Sequence, residues 1–109
     1  MSIPITTPTP WTWSADVLAF AAEQNVASYL DPLLEVTRQI FPTALDLKVY
    51  VDDDPEIRDD RHIVFELRVP EGDVPAFVET RHRWHRELRR FCPSPLVCVF
   101  RLFVQLVSR

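Results

Sequence analysis

Two short runs alternate apolar and polar residues in step, and their polar faces carry opposite charges. This feature constrains the fold more than any other. In the first run Leu45, Leu47, Val49 and Val51 alternate with Asp46, Lys48, Tyr50 and Asp52; in the second Ile63, Phe65, Leu67 and Val69 alternate with His62, Val64, Glu66 and Arg68. A two-residue period belongs to a strand with one face in a core. With Asp46 set antiparallel to Arg68, Lys48 meets Glu66 and Asp52 meets His62, while Leu47 meets Leu67 and Val49 meets Phe65. A slip of one residue would turn every apolar side chain to water, so this register is strongly selected. The connection from Asp53 to Arg61 is long for a hairpin and mostly charged.

Helical signals stand on either side. Ser14 is a good N-cap for a helix opening Ala15-Asp16-Val17, which Asn25 ends or bends. Asp31-Pro32 reads as a fresh N-cap followed by Pro at the first helical position, and Pro42 stops that second helix. After Pro70 the single glycine, Gly72, makes a turn, and Asp73 is placed to cap a third helix with Pro75 in its first turn. Its expected apolar stripe is Val74, Phe77, Val78, Trp84, Leu88 and Phe91, with Arg81 and His85 at the margins. Pro93 and Pro95 end it, and Leu96 to Val107 reads as a last strand, apolar on both faces. Leu96, Cys98, Phe100, Leu102, Val104 and Leu106 share its inner face.

The expectation is an α+β fold in the order α-α-β-β-α-β. A right-handed crossover through the third helix would lay the last strand beside the first, giving a three-stranded antiparallel sheet of order 2-1-3. That split β-α-β arrangement is similar in topology to a ferredoxin-like fold missing a strand. Residues 1–13 read as an extended, proline-rich tail with Trp11 and Trp13 as anchors, and residues 14–109 as one domain. At 109 residues, nearly half of them apolar, the chain can bury a core without metal or disulfide. Cys92 should close the third helix and Cys98 point inward, giving two buried thiols of a reducing compartment. No basic-then-apolar leader opens the chain and no apolar run spans a membrane, so the reading is cytoplasmic.

Charge is divided unevenly. Residues 1–80 hold 15 of the 16 acids and 5 of the 12 bases, net −10; residues 81–109 hold 1 acid and 7 bases, net +6. Such a split can act within one molecule, between copies, or toward a partner.

Three surfaces follow as candidates. The second face of the sheet brings Tyr50, Val64, Val97, Val99 and Phe103 into an apolar patch ringed by Lys48, Glu66, Arg68 and Arg101, which marks an interaction site unless helices cover it. The third helix carries Arg83, Arg86, Arg89 and Arg90, able to follow a nucleic-acid backbone, with Glu79 and Glu87 placed to pair with Arg83 instead. The hairpin loop gathers Asp52, Asp54, Asp60 and His62, a donor set for a divalent cation, without the Gly and the terminal Glu of an EF-hand. With one glycine the chain has no phosphate-cradling loop, dinucleotide fingerprint or nucleophile elbow, and no cofactor is implied. The leading expectation is a non-catalytic protein-interaction or regulatory module that self-associates, as a homodimer, or binds another protein. Nucleic-acid binding through the arginine helix is the alternative, and a small metal-dependent enzyme the second alternative.

Overall fold

The computed structural model describes residues 11–53, 61–73 and 76–108. The proline-rich run before Trp11, Val74, Pro75 and most of the acidic hairpin loop lie outside the described residues.

The chain enters through its two anchoring tryptophans. Trp11 and Trp13 meet edge to face at 5.4 Å between centroids, and Trp13 meets Phe65 of the sheet at 6.3 Å. Helix α1 (Ala15–Glu23) opens as its sequence dictates, with Ser14 Oγ accepting the Val17 amide at 3.2 Å. It closes at Asn25, whose φ of 59° is the left-handed conformation that Asn tolerates better than most residues. A 3₁₀ turn, Ala27–Tyr29, then leads into α2 (Leu30–Ile40). Asp31 is therefore not the N-cap expected of it. It lies in the first turn, where its carboxylate accepts the Trp13 indole N–H at 2.9 Å and ties the entering segment to α2.

Strands β1 (Asp46–Asp53) and β2 (Arg61–Pro70) pair antiparallel in the register read from the charges, Asp46 opposite Arg68 through Asp52 opposite His62. The third strand departs from expectation. The sheet is mixed, in order β1-β2-β3, and β3 (Phe100–Val107) lies parallel to β2 with Ile63 opposite Phe100. The order 2-1-3 and the all-antiparallel sheet are thus corrected, and the ferredoxin-like comparison loses the split order on which it rested. The reason lies in β2, where Ile63, Val64 and Phe65 are buried in succession. A strand buried on both faces belongs in the middle of a sheet, whereas the charged outer face of β1 suits an edge. The hairpin pattern fixes how β1 meets β2 but leaves open which of them is central.

Helix α3 (Phe77–Phe91) carries the crossover from β2 to β3. It starts at Ala76 rather than at an Asp73 cap, since Glu71–Asp73 form a 3₁₀ turn of their own. Trp84 and Leu88 are buried and Phe77 and Phe91 pack beside the core, but Val78 stands 64% exposed, off the stripe expected for it. The last strand is shorter than its alternation suggested. Pro93 and Pro95 set up a single helical turn, α4 (Ser94–Val97), in which the Leu96 amide donates to the Pro93 carbonyl at 2.8 Å. Cys98 consequently stands exposed with its thiol against the Pro95 carbonyl at 3.4 Å, while Cys92 is buried as expected. Burial raises the Cys92 thiol pKa, with a smaller contribution from Cys98.

Residues of α1, α2 and α3 join Ile63, Phe65, Leu67, Phe100 and Leu102 in one cluster. All three long helices therefore lie over the same face of the sheet. A polar relay runs through this cluster: Trp84 Nε1 donates to Thr37 Oγ1 at 2.9 Å, and Thr37 Oγ1 donates to the Leu33 carbonyl at 2.7 Å. Thr37 and Trp84 are both fully buried, so the pair locks α2 against α3 and satisfies the indole N–H.

Candidate interaction surface

With the helices on one face, the other face of the sheet is uncovered by any described helix. Its side chains run in rows across the strands: Asp52 and His62; Tyr50, Val64 and Arg101; Lys48, Glu66 and Phe103; Asp46, Arg68 and Gln105. Tyr50, Val64 and Phe103 run diagonally across the two middle rows, interleaved with the charges of Arg101, Lys48 and Glu66. Phe103 is 52% exposed and Tyr50 37%, whereas Val64 between its neighbours is only 6% exposed and lies outside the helix-side core. The Tyr50 hydroxyl donates to Glu66 Oε1 at 3.0 Å, which fixes both side chains on this surface. Partial burial raises the Tyr50 pKa, and the Glu66 hydrogen bond, the Glu66 charge and the Asp52 charge raise it further.

Of the five residues expected in this patch, the structure brings together Tyr50, Val64 and Phe103. Val97 sits in α4 and packs on the core, and Val99 is buried in the core cluster. The shortening of the last strand separates them from the other three.

The edge beside this face belongs to β3. The Ile63 amide donates to the Val99 carbonyl at 2.8 Å, and the parallel register sets Ile63 opposite Phe100. Backbone groups of odd-numbered β3 residues therefore point toward β2, and those of Phe100, Leu102, Val104 and Leu106 point outward. Among the described residues no strand pairs with that outer side. The edge is mostly apolar, with Phe103 exposed on the open face and Leu106 37% exposed on the helix side, and Arg101 is the one charged residue in the strand.

The arginine helix presents Arg81, Arg83, Arg86, Arg89 and Arg90 to solvent. The ion pair on it joins Glu87 to Arg90 at 3.1 Å, not to Arg83 as the spacing suggested. Arg81 stacks over Phe77 at 5.8 Å, and with Val78, His82 and His85 these residues line a shallow groove of about 310 Å³. Burial lowers the His85 pKa, and the charges of Arg81, Arg89 and His82 lower it further.

In the acidic loop the structure places Asp52 opposite His62, while Asp54 and Asp60 lie outside the described residues. Among the described residues no group of three or more His, Cys, Asp or Glu is gathered as a metal site would require. A further groove, of about 790 Å³, opens between Trp11, Arg38, Phe41, Leu45 and Leu47. Arg38 stacks on Trp11 at 5.8 Å, and the buried Trp11 Nε1 has no acceptor among the described residues. This groove went unseen in the sequence because Trp11 and Leu45, far apart in the chain, meet only once α2 turns back to β1. No helix among the described residues is long and apolar enough to cross a membrane. No family model, curated protein or solved structure matches this chain.

Proposed function

We propose that this protein is a non-catalytic interaction module that self-associates through the open side of its sheet. The observation that carries the reading is β3, an apolar edge strand with outward-facing backbone groups, adjoining a face where Phe103 and Tyr50 are exposed. Of the devices that natural sheets use against edge pairing, the strand carries one charge, Arg101, and no proline, lysine or acid. Tyr50, Val64 and Phe103 lie among charged residues of both signs, the mixed character of an interaction patch. Size-exclusion chromatography with light scattering tests the reading. A two-chain mass that falls to one chain in Phe103→Asp, with an unchanged circular dichroism spectrum, is the expected result. A one-chain mass for the unmodified protein at every concentration overturns it.

A second reading is favoured by the exposed arginines of α3, which form a cationic ridge on the molecule's helical side. If this ridge follows a nucleic-acid backbone, the purified protein carries absorbance at 260 nm. Its affinity for a generic duplex or single strand then falls steeply with salt and is lost in Arg83→Glu, Arg86→Glu, Arg90→Glu.

A further inference from the structure

We infer that two copies of this chain pair through β3 in one register, antiparallel about Phe103, to build a continuous six-stranded sheet. This inference rests on the self-association reading above and specifies its geometry.

Three constraints select the register. Two copies related by a two-fold axis pair their β3 strands antiparallel, so residues sharing a face must stand opposite one another. That leaves registers centred on single residues. Centring on Arg101 would put Arg101 against its own copy, and like charges directly opposite are destabilising. Centring on Leu102 or Val104 sets Phe103 against Arg101 or Gln105 and leaves its ring without an apolar partner. Centring on Gln105 sets Phe103 against Val107 but pairs only Phe103 to Val107 of the strand, leaving Phe100 to Leu102 without strand partners. Centring on Phe103 sets Phe103 against Phe103, Arg101 against Gln105, Phe100 against Leu106 and Leu102 against Val104. This arrangement covers Phe103 and Leu106, the two apolar side chains of β3 most exposed in the single chain.

The backbone agrees with that choice. Phe100, Leu102, Val104 and Leu106, whose groups face outward, become the hydrogen-bonded pairs. Phe103 then falls at a non-hydrogen-bonded pair, where side chains approach most closely and an aromatic pair contributes most. The partner is a second copy rather than the β1 edge of another chain, for two reasons. A β3-to-β1 contact is heterologous and leaves one edge free at each end, giving open chains of molecules. It also sets apolar β3 residues against Asp46, Lys48 and Asp52. In the six-stranded sheet the two open faces become one surface, with the paired Phe103 rings on the axis and Tyr50 of each copy two strands away.

Cysteine cross-linking in the full chain tests this. Cys98, being exposed, is first replaced by Ser; Cys92 is buried and stays. Non-hydrogen-bonded pairs bring Cα atoms to about 4.5 Å, within disulfide reach. Under glutathione disulfide, Phe103→Cys is expected to give a covalent dimer and Gln105→Cys alone none. Because Phe103→Cys removes the aromatic pair, a second test keeps it: Arg101→Cys mixed with Gln105→Cys should cross-link only in the mixture. A dimeric mass with no cross-link in either test, or with Gln105→Cys cross-linking to itself, overturns the register but leaves self-association standing. A one-chain mass overturns both.

Discussion

Thr37 shows how one hydroxyl decides the fit of two helices. It sits in α2, where its Oγ1 accepts the Trp84 N–H and its hydroxyl donates to the Leu33 carbonyl. Thr37→Val keeps the shape and removes the acceptor, leaving a buried indole N–H unpaired. A loss of about 1–3 kcal/mol is expected by urea denaturation, with most of it restored in Thr37→Ser. If Thr37→Val is neutral, the relay contributes nothing to the fold.

His85 acts through its surroundings. Burial and the nearby Arg81, Arg89 and His82 lower its pKa below the ordinary 6.5. The unfolded chain thus binds a proton more readily, so His85's contribution to stability is whole above about pH 6.5 and lost as pH falls toward the lower folded-state value. The fall in melting temperature from pH 7.5 to 5 is expected to be shallower in His85→Gln than in the unmodified chain. An identical slope would show that His85 does not set it.

At the scale of elements, central and edge strands should respond differently to truncation. Phe65 lies on β2 against Trp13, Trp84 and Phe100, at ring distances of 6.1 to 6.3 Å. Phe65→Ala is expected to cost about 3–5 kcal/mol. Phe103→Ala, measured at a dilution where the chain is single, should stay within about 0.5 kcal/mol. Comparable losses at both positions would contradict the placement of β2 at the centre.

The same contrast explains what the sequence made legible. The hairpin register was legible because the apolar period agrees with three oppositely charged or ionisable outer pairs, Asp46/Arg68, Lys48/Glu66 and Asp52/His62. The sheet order was not, because it depends on which strand is buried on both faces, and the signal was one residue, Val64, read as part of a surface patch. Pro93 and Pro95 were read as a helix stop when they begin another helical turn, so Val97, Cys98 and Val99 were assigned to a strand. Of the proposed patch, Tyr50, Val64 and Phe103 were legible from alternation alone. The outward backbone of β3 was not, since it depends on β3 lying parallel to β2 rather than beside β1.

At the scale of the whole molecule, three helices lie on one face of the sheet and no described helix covers the other, which is the ground for the proposed self-association. Asp46, Asp52 and Glu66 share the open face with Lys48, Arg68 and Arg101, while the arginines of α3 lie on the helical side. The proposed pairing through β3 involves neither the arginine ridge of α3 nor the Trp11 groove.

Residue-resolved amide hydrogen exchange at two protein concentrations tests the central claim most directly. In β3 the amides of Arg101, Phe103 and Gln105 are bonded to β2 and should exchange slowly at both concentrations. Those of Leu102, Val104 and Leu106 should exchange slowly when the protein is concentrated and quickly when it is dilute. If Leu102, Val104 and Leu106 exchange quickly at every concentration, the edge of β3 stays open and the account of self-association is wrong.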